Sequence, residues 1–169
     1  PYKLLITVEK VKAIPELAKI IEENTDVFSV KEDRPFMILV LYICVELLKG
    51  EKSFYYPYFR IAESPSITAW SHWDVLAVEN KQISHRIKDH QEELERVFMN
   101  FLRIYRRYEN IFPAEKSNAD YKNLFEKAHA MIPTRAFGWS LPSISMIPMS
   151  DSLNHGFNYL DHYLVNTSI

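Results

Sequence analysis

Residues 134–155 read TRAFGWSLPSISMIPMSDSLNH, and the interpretation of the whole chain depends on this stretch. Apolar residues alternate with polar ones around Ile144 and Met146, a pattern that is typical of a strand. We therefore predict a strand or extended segment over 143–149, interrupted at Pro148 because proline cannot donate a hydrogen bond to a neighbouring strand.

The polar turn after this segment holds residue types that occur both in turns and in functional sites. Asp151 and Asn154 can cap a helix or bind the backbone of their own turn, and His155 can be a hydrogen-bonded histidine of the core. The same three residues could instead belong to an active site. The residues by themselves leave both alternatives open.

Length and composition describe one domain of ordinary size. The chain has 169 residues, of which 47% are hydrophobic and 25% charged, as in soluble globular domains. Its formal net charge of −2 argues against a nucleic-acid partner, because proteins that bind nucleic acids usually carry an excess of basic residues.

A single cysteine, Cys44, excludes an internal disulfide and fits a reducing compartment. We expect a cytoplasmic protein, with the nucleus or an organelle also open.

Both ends of the sequence look cut, so we expect the chain to be part of a longer protein. It begins at Pro1 rather than at methionine, and its last residues carry no basic tail or lipidation motif.

The three glycines of the sequence, Gly50, Gly138 and Gly156, lie far apart. A dinucleotide-binding loop, a P-loop and a G-x-S-x-G nucleophile turn are therefore excluded within this sequence.

Four helices are predicted from apolar residues that recur every three to four positions. They are a short surface helix over 15–24, a buried helix over 35–49, a long helix over 82–110 and a helix over about 120–130. The apolar run 36–45 is about half of the roughly 20 residues that a membrane-spanning helix needs. We therefore predict that this helix is buried, that Cys44 lies in the core and that no segment inserts into a membrane.

Two further segments complete the predicted outline. The short apolar run 4–8 predicts a strand near the start of the chain. Residues 54–59, FYYPYF, form an aromatic cluster around Pro57. Because proline cannot sit in a regular ladder of strands, we predict a packed turn there, filled with core aromatic residues.

The long helix over 82–110 carries a basic cluster at 103–107, beside tyrosines. Such a surface could stack RNA bases, but several glutamates lie on the same helix. Mixed charge of this kind favours a solvated helix face.

Histidines do not form a metal site at the spacings seen here. His85 and His90 are five residues apart, which turns them to different faces of the helix, so we expect surface histidines. His155, Asp161 and His162 could meet if the chain turned there, but three such residues often fall close together by chance. We therefore predict no metal.

The motifs of residues 134–155 resemble those of a known family. The matching residues are Arg135 and Phe137, then Ile147-Pro148, then Asp151-x-x-Asn154-His155. They are similar to the pattern S/T-R-x-F … L-V/I-P-x-x-D-x-x-N-H of the SET-domain proteins related to Rubisco large-subunit methyltransferase. That family includes plant Rubisco and aldolase lysine methyltransferases and the actin-histidine methyltransferase. The resemblance extends to residues 1–9 and 47–58, where SFYYPY is similar to the family's S-x-W/F-x-P-Y segment.

The resemblance implies an α+β fold, a SET domain split by a helical insertion, so that this chain is mostly α-helical. On this basis, residues 1–30 are the N-terminal part of the SET core, 31–130 are the helical insertion and 131–169 are a truncated C-terminal part of the core.

The resemblance also implies a function, namely a protein N-methyltransferase that uses S-adenosylmethionine and modifies a lysine or histidine side chain of a protein. Asn154 and His155 match the family's N-H dipeptide, whose backbone binds the adenine of the cofactor. Arg135 matches an arginine near the cofactor, and Asp151 is a neighbour of the dipeptide. Methyl transfer from a sulfonium depends mainly on alignment and needs no metal.

Two elements of the family pattern do not occur in this sequence. They are a G-x-G segment that contacts the methionine portion of the cofactor and an N-Y-G strand whose tyrosine lines the methyl-transfer channel. We do not assign Tyr159 or Tyr163 to that role, because both lie close to Asn154 in the sequence. The catalytic residues stay unassigned, and we expect the chain by itself to be inactive. The alternative function is that of a SET-derived subunit without activity, kept as a structural or protein-binding element of a larger assembly.

We expect Asn154→Ala to lower the stability of the protein or its affinity for the cofactor more than His85→Ala or His90→Ala does. Loss of a buried hydrogen-bonding group costs roughly 1–3 kcal/mol, whereas surface changes stay within about 0.5 kcal/mol. Thermal unfolding and calorimetric titration with S-adenosylmethionine measure the two quantities. A larger loss of stability or cofactor affinity in His85→Ala than in Asn154→Ala would indicate that His85 binds a metal or lies in the core.

Overall fold

The computed structural model of the protein describes residues 3–28, 34–62, 64, 70–138, 141 and 143–153. The α-helices of this part are α1 (Val8–Lys12), α2 (Pro15–Glu23), α3 (Thr25–Phe28), α4 (Arg34–Lys49), α5 (Tyr56–Ile61), α6 (His72–Ala77), α7 (Lys81–Arg107) and α8 (Asn118–Arg135). Its strands are β1 (Ile6–Thr7), β2 (Ala136–Phe137) and β3 (Ser145–Met146). None of the helices described is long and apolar enough to cross a membrane.

The three strands form one small antiparallel sheet in the order β1-β3-β2. Met146 of β3 lies opposite Ile6 on one side and opposite Ala136 on the other. Because β1 precedes the helices and β2 and β3 follow them, this sheet joins the two ends of the described chain.

Both predicted strands are confirmed at their centres but are shorter than expected. At the first strand, Val8 already begins α1, because the Thr7 side chain caps that helix by accepting a hydrogen bond from the Lys10 amide at 3.2 Å. The last strand ends at Met146, so residues 147–149, which include Pro148, lie outside the ladder.

Helix α4 forms the centre of the core. Residues 38–46 of this helix are all buried, and the helix packs against α8, α1 and α3. The predicted buried helix is therefore confirmed, with Cys44 inside it. The Tyr105 hydroxyl donates a hydrogen bond to Cys44 Sγ at 3.2 Å. Burial raises the pKa of the Cys44 thiol to about 12, so the sulfur stays protonated and is not a nucleophile.

Helices α7 and α8 complete the core and confirm the two remaining long helices predicted from the sequence. The Phe101 ring of α7 packs against the Phe125 ring of α8 with centroids 5.0 Å apart. Helix α8 begins with a capping box, in which Ser117 accepts a hydrogen bond from the Asp120 amide at 3.1 Å and the Asp120 carboxylate accepts one from the Ser117 amide at 3.0 Å.

The basic cluster at the end of α7 is exposed but paired within the protein. Arg103 forms an ion pair with Asp26 of α3, and Arg107 pairs with Glu23 of α2 at 3.2 Å. Arg106 donates to two backbone carbonyls of the following loop at 3.0 and 2.9 Å. The predicted solvated face therefore also joins α7 to α2 and α3, although exposed ion pairs each add little stability.

The aromatic segment at 54–59 is not the packed turn that we predicted. Residues Tyr56–Ile61 form helix α5, with Pro57 in its first turn. Proline is tolerated there because the amide hydrogen that it lacks would have no partner inside the helix. Tyr58 and Phe59 are buried, as expected of core aromatics, whereas Phe54 is 61% exposed.

His129 of α8 is a partly buried histidine among aromatic rings. Its ring lies 4.8 Å from Phe36 and 5.7 Å from Phe125, centroid to centroid, and 6.5 Å from that of His90 on α7. Burial, with a smaller contribution from repulsion by His90, lowers the pKa of His129 to about 4.

We expect this histidine to make the free energy of unfolding fall as the pH drops from 6.5 to about 4. In that range the unfolded chain protonates His129 at its ordinary pKa, whereas the folded chain keeps the ring neutral, so acid favours unfolding. The loss reaches about 1–3 kcal/mol. Denaturant unfolding at a series of pH values measures it, and His129→Phe should remove this part of the slope. The exposed-site control His85→Phe should keep it, and an unchanged slope in His129→Phe would contradict the assignment.

Candidate functional site

Two of the four site residues predicted from the sequence lie close together in the structure. Arg135 is the last residue of α8, and Asp151 lies in a short 3-10 turn, Ser150–Ser152, that follows β3. Because β2 and β3 are antiparallel neighbours, the segment before β2 and the segment after β3 meet at one end of the sheet. The distance from Arg135 Nη1 to Asp151 Oδ2 is 3.4 Å. Asn154 and His155 lie outside the described residues.

A third residue, Tyr58 of α5, completes this group. Its hydroxyl donates a hydrogen bond to the same oxygen of Asp151, Oδ2, from 93 residues earlier in the sequence. We call Tyr58, Arg135 and Asp151 the aspartate cluster. The sequence pattern predicts Tyr58 to be a core aromatic residue, but Tyr58 is also the last tyrosine of SFYYPY, the segment that resembles the family. That match was the sign that could have marked it as a site residue.

The carboxylate of the aspartate cluster is buried, whereas its arginine is partly open to solvent. The side chain of Asp151 is 1% exposed and that of Arg135 is 15% exposed. Burial, with the hydrogen bond to Asp151, raises the pKa of Tyr58 well above its usual value, so the hydroxyl keeps its proton and serves as a donor. Burying a carboxylate is costly, and the guanidinium and the hydroxyl offset part of that cost.

One oxygen of the Asp151 carboxylate has no hydrogen-bond partner among the described residues. Oδ2 is contacted by both Tyr58 and Arg135. Oδ1 is buried and accepts no hydrogen bond from the part of the chain that the structure describes. Buried acceptors of this kind are uncommon, because leaving one unpaired costs about 1–3 kcal/mol. A bound molecule with an N–H or O–H donor would satisfy Oδ1.

The turn that presents Asp151 contains a strained residue. Met149 has φ 76° and ψ −39° and is the one non-glycine residue with positive φ in the described ranges. The amides of Ser150 and Asp151 both donate to the carbonyl of Ile147, at 3.1 and 3.2 Å. Backbone strain of this kind is stored where the surrounding structure holds a turn in place, and it occurs often at binding sites.

A separate cleft of about 850 Å³ lies between the start of the chain and α4. Lysines line it, but Lys10 donates to Tyr55 and to the carbonyls of Lys3 and Leu5, the latter two at 2.8 and 3.1 Å. Lys49, another lining residue, forms an ion pair with Glu46. Lys10 and Lys49 already bind groups of the protein, whereas Asp151 Oδ1 is a buried acceptor without a partner among the described residues, so the aspartate cluster is the better candidate for a ligand site.

Metal ligands do not gather in the described part of the chain, where no group of three or more His, Cys, Asp or Glu side chains could hold an ion. His85 is 78% exposed and lies 3.5 Å from Asp89 on the same helix, as expected of a surface histidine. His90 is also exposed. The other candidate ligands, His155, Asp161 and His162, lie outside the described residues.

The fold is similar to that of a solved SET domain. The crystal structure of the SET domain of LSMT bound to lysine and AdoHcy matches 94% of this chain with a TM-score of 0.74 and 19% sequence identity. This chain corresponds to 33% of that chain's length. No family model and no curated protein sequence matches the chain. The likeness shows a SET-like fold, mostly helical with a small antiparallel sheet, and confirms the predicted fold at that level.

We expect Met149→Gly to stabilise the protein, because glycine adopts a positive φ without steric strain. The matched control is Leu153→Gly. Like Met149, Leu153 lies two residues from Asp151 in the sequence and is exposed, but it has an ordinary φ of −78°. There, glycine adds only backbone freedom and should lower the free energy of unfolding by about 0.5–1 kcal/mol. Denaturant unfolding of both variants measures the difference, and a loss of stability in Met149→Gly as large as in the control would contradict strain at this residue.

Proposed function

We propose that this chain is part of a SET-domain protein N-methyltransferase that uses S-adenosylmethionine to methylate a lysine or histidine side chain of a protein substrate. The observation that carries the proposal is the aspartate cluster. Arg135 and Asp151 come from separate parts of the family motif, and in a SET-like fold they share one buried carboxylate contact. The LSMT domain with the similar fold has lysine and AdoHcy bound, which supports the same class of cofactor.

The described residues fit S-adenosylmethionine in their chemistry. Asp151 Oδ1 is a buried acceptor that needs a donor, and the cofactor carries donors in its ammonium, hydroxyl and adenine amino groups. The guanidinium of Arg135, partly open to solvent, suits a carboxylate such as that of the methionine portion. We propose that Arg135 and Asp151 hold the cofactor together with the backbone of Asn154 and His155, the dipeptide that matches the family motif.

Each residue of the aspartate cluster contributes binding and positioning to the proposed reaction. When bound, S-adenosylmethionine supplies a methyl group on a sulfonium, and its transfer to nitrogen depends mainly on alignment. Asp151 binds a donor group of the cofactor, and Arg135 holds the carboxylate of Asp151 in position. Tyr58 stays protonated and therefore does not act as a base. The residue that receives the substrate proton is not among these three.

We further propose that residues 1–30 and 131–169 belong to the SET core and that 31–130 form the helical insertion between them. The pairing of β1 with β3 supports this division, because it brings the segments before and after the helices into one sheet. We also propose that the protein acts in the cytoplasm, with the nucleus or an organelle as the open alternatives.

Calorimetric titration of the full-length protein with S-adenosylmethionine tests the proposal. We expect the wild type to bind and Arg135→Ala and Asp151→Ala each to weaken binding by about tenfold or more, since both remove a charged partner. Arg60→Ala is the matched control, because Arg60 is an exposed arginine on α5 whose guanidinium lies 6.0 Å from the Tyr56 ring.

Transfer of a labelled methyl group from the cofactor to protein then identifies the acceptor. A full-length protein that binds no cofactor would contradict the methyltransferase function and would favour the SET-derived structural subunit.

A further inference from the structure

We propose that Tyr58 is a positioning residue, which fixes the Asp151 carboxylate so that its free oxygen is presented to the cofactor and thereby couples α5 to the cofactor site. This inference rests on the proposed function, because the ligand of the free oxygen is taken to be S-adenosylmethionine. The sequence resemblance assigns Arg135, Asp151, Asn154 and His155 to the cofactor and gives Tyr58 no role.

The hydrogen bond from Tyr58 controls the rotation of the carboxylate. The terminal torsion of an aspartate has a broad, roughly two-fold profile, so the carboxylate needs external contacts to hold one orientation. Tyr58 and Arg135 both contact Oδ2, which leaves Oδ1 as the open acceptor. Without the hydroxyl, Oδ2 keeps the contact to Arg135 at 3.4 Å, which is long for a charged hydrogen bond. The carboxylate then turns more freely, and Oδ1 is no longer held in place for the ligand.

Tyr58 differs from its neighbours in the partner of its hydroxyl. The hydroxyl of Tyr55 donates to the carbonyls of Lys3 and Leu5, at 3.1 and 3.3 Å, and that of Tyr56 donates to the exposed Glu51 at 3.4 Å. Of the three tyrosines, only Tyr58 donates a hydrogen bond to Asp151 within the described residues.

The hydroxyl of Tyr58 keeps its proton, and therefore its role as a hydrogen-bond donor, across the neutral pH range. Burial and the adjacent carboxylate keep its pKa well above the usual value, and the Arg135 guanidinium opposes this only weakly. The hydroxyl therefore remains a donor across the neutral range.

Steady-state kinetics of the full-length Tyr58→Phe variant tests the proposal. Phenylalanine keeps the ring, which packs against Phe59 at 5.4 Å between centroids, and removes only the hydroxyl. We expect the KM for S-adenosylmethionine and the Kd for S-adenosylhomocysteine to rise about tenfold, with kcat at saturating cofactor within about twofold of wild type. A merely structural residue would not separate KM from kcat in this way.

Tyr55→Phe is the matched control. It lies in the same segment, is also buried and loses more than one hydrogen bond, so it tests the effect of removing a hydroxyl away from Asp151. We expect a lower melting temperature with an unchanged KM for the cofactor. A rise in KM equal to that of Tyr58→Phe would overturn the specific role of Tyr58.

A double-mutant cycle with Asp151→Asn tests whether Tyr58 acts through Asp151. If it does, Tyr58→Phe should weaken cofactor binding little further once Asp151 is asparagine, because the contact is already altered. Fully additive losses would contradict the proposal.

A fluorine label keeps the proposal testable even if Tyr58→Phe does not fold. Site-specific 3-fluorotyrosine retains the hydroxyl, and S-adenosylhomocysteine should shift the fluorine resonance at position 58 but not at position 55. An unchanged resonance at position 58 would overturn the proposal.

The outcomes separate this inference from the proposed function. Wild-type protein that does not bind S-adenosylhomocysteine would refute the methyltransferase function itself. Tight binding by both wild type and Tyr58→Phe would leave that function standing and would refute only the positioning role.

Discussion

The packing of α4 against α8 is the contact on which the rest of the structure depends. Residues 38–46 of α4 are buried on every face of the helix, so other elements must surround it. Helices α1, α3 and α8 do so, and the Phe101 ring of α7 packs against Phe125 of α8. Since α8 ends at Arg135 and leads directly into β2, its position against α4 also determines where the sheet and the aspartate cluster begin.

The link from the core to Tyr58 passes through a second buried carboxylate. Helix α4 ends at Lys49, the following Gly50 has a φ of 53° that suits glycine, and the chain then turns toward α5. Glu46 is 4% exposed and accepts a hydrogen bond from the Ser53 hydroxyl, and Ser53 Oγ in turn accepts one from the Tyr55 amide at 3.1 Å. This chain of bonds ties the turn to α4 and directs α5 so that Tyr58 reaches Asp151.

The sequence predicted those parts of the fold whose pattern repeats within one element. The helices α2, α4, α7 and α8 were found because apolar residues recur over several turns. Helices α1, α3 and α6 were missed because an element of four to six residues is too short to show a period. Arg135 and Asp151 were predicted from a motif, whereas Tyr58 was not assigned to the site, because its partner lies 93 residues away and local periodicity carries no information on such contacts.

We propose that the aspartate cluster is a binding site rather than a structural ion pair. Buried ion pairs are often replaceable by apolar residues at no loss of stability, so stability alone is a weak reason to bury Asp151 and Arg135. An aspartate that served only the fold would gain most by pairing both oxygens, yet two donors contact Oδ2 and Oδ1 has none in the described chain. We propose that another molecule completes the arrangement by bringing a donor to Oδ1. The cost of the unpaired oxygen is then recovered on binding, which makes the affinity for that molecule sensitive to every group that holds the carboxylate still.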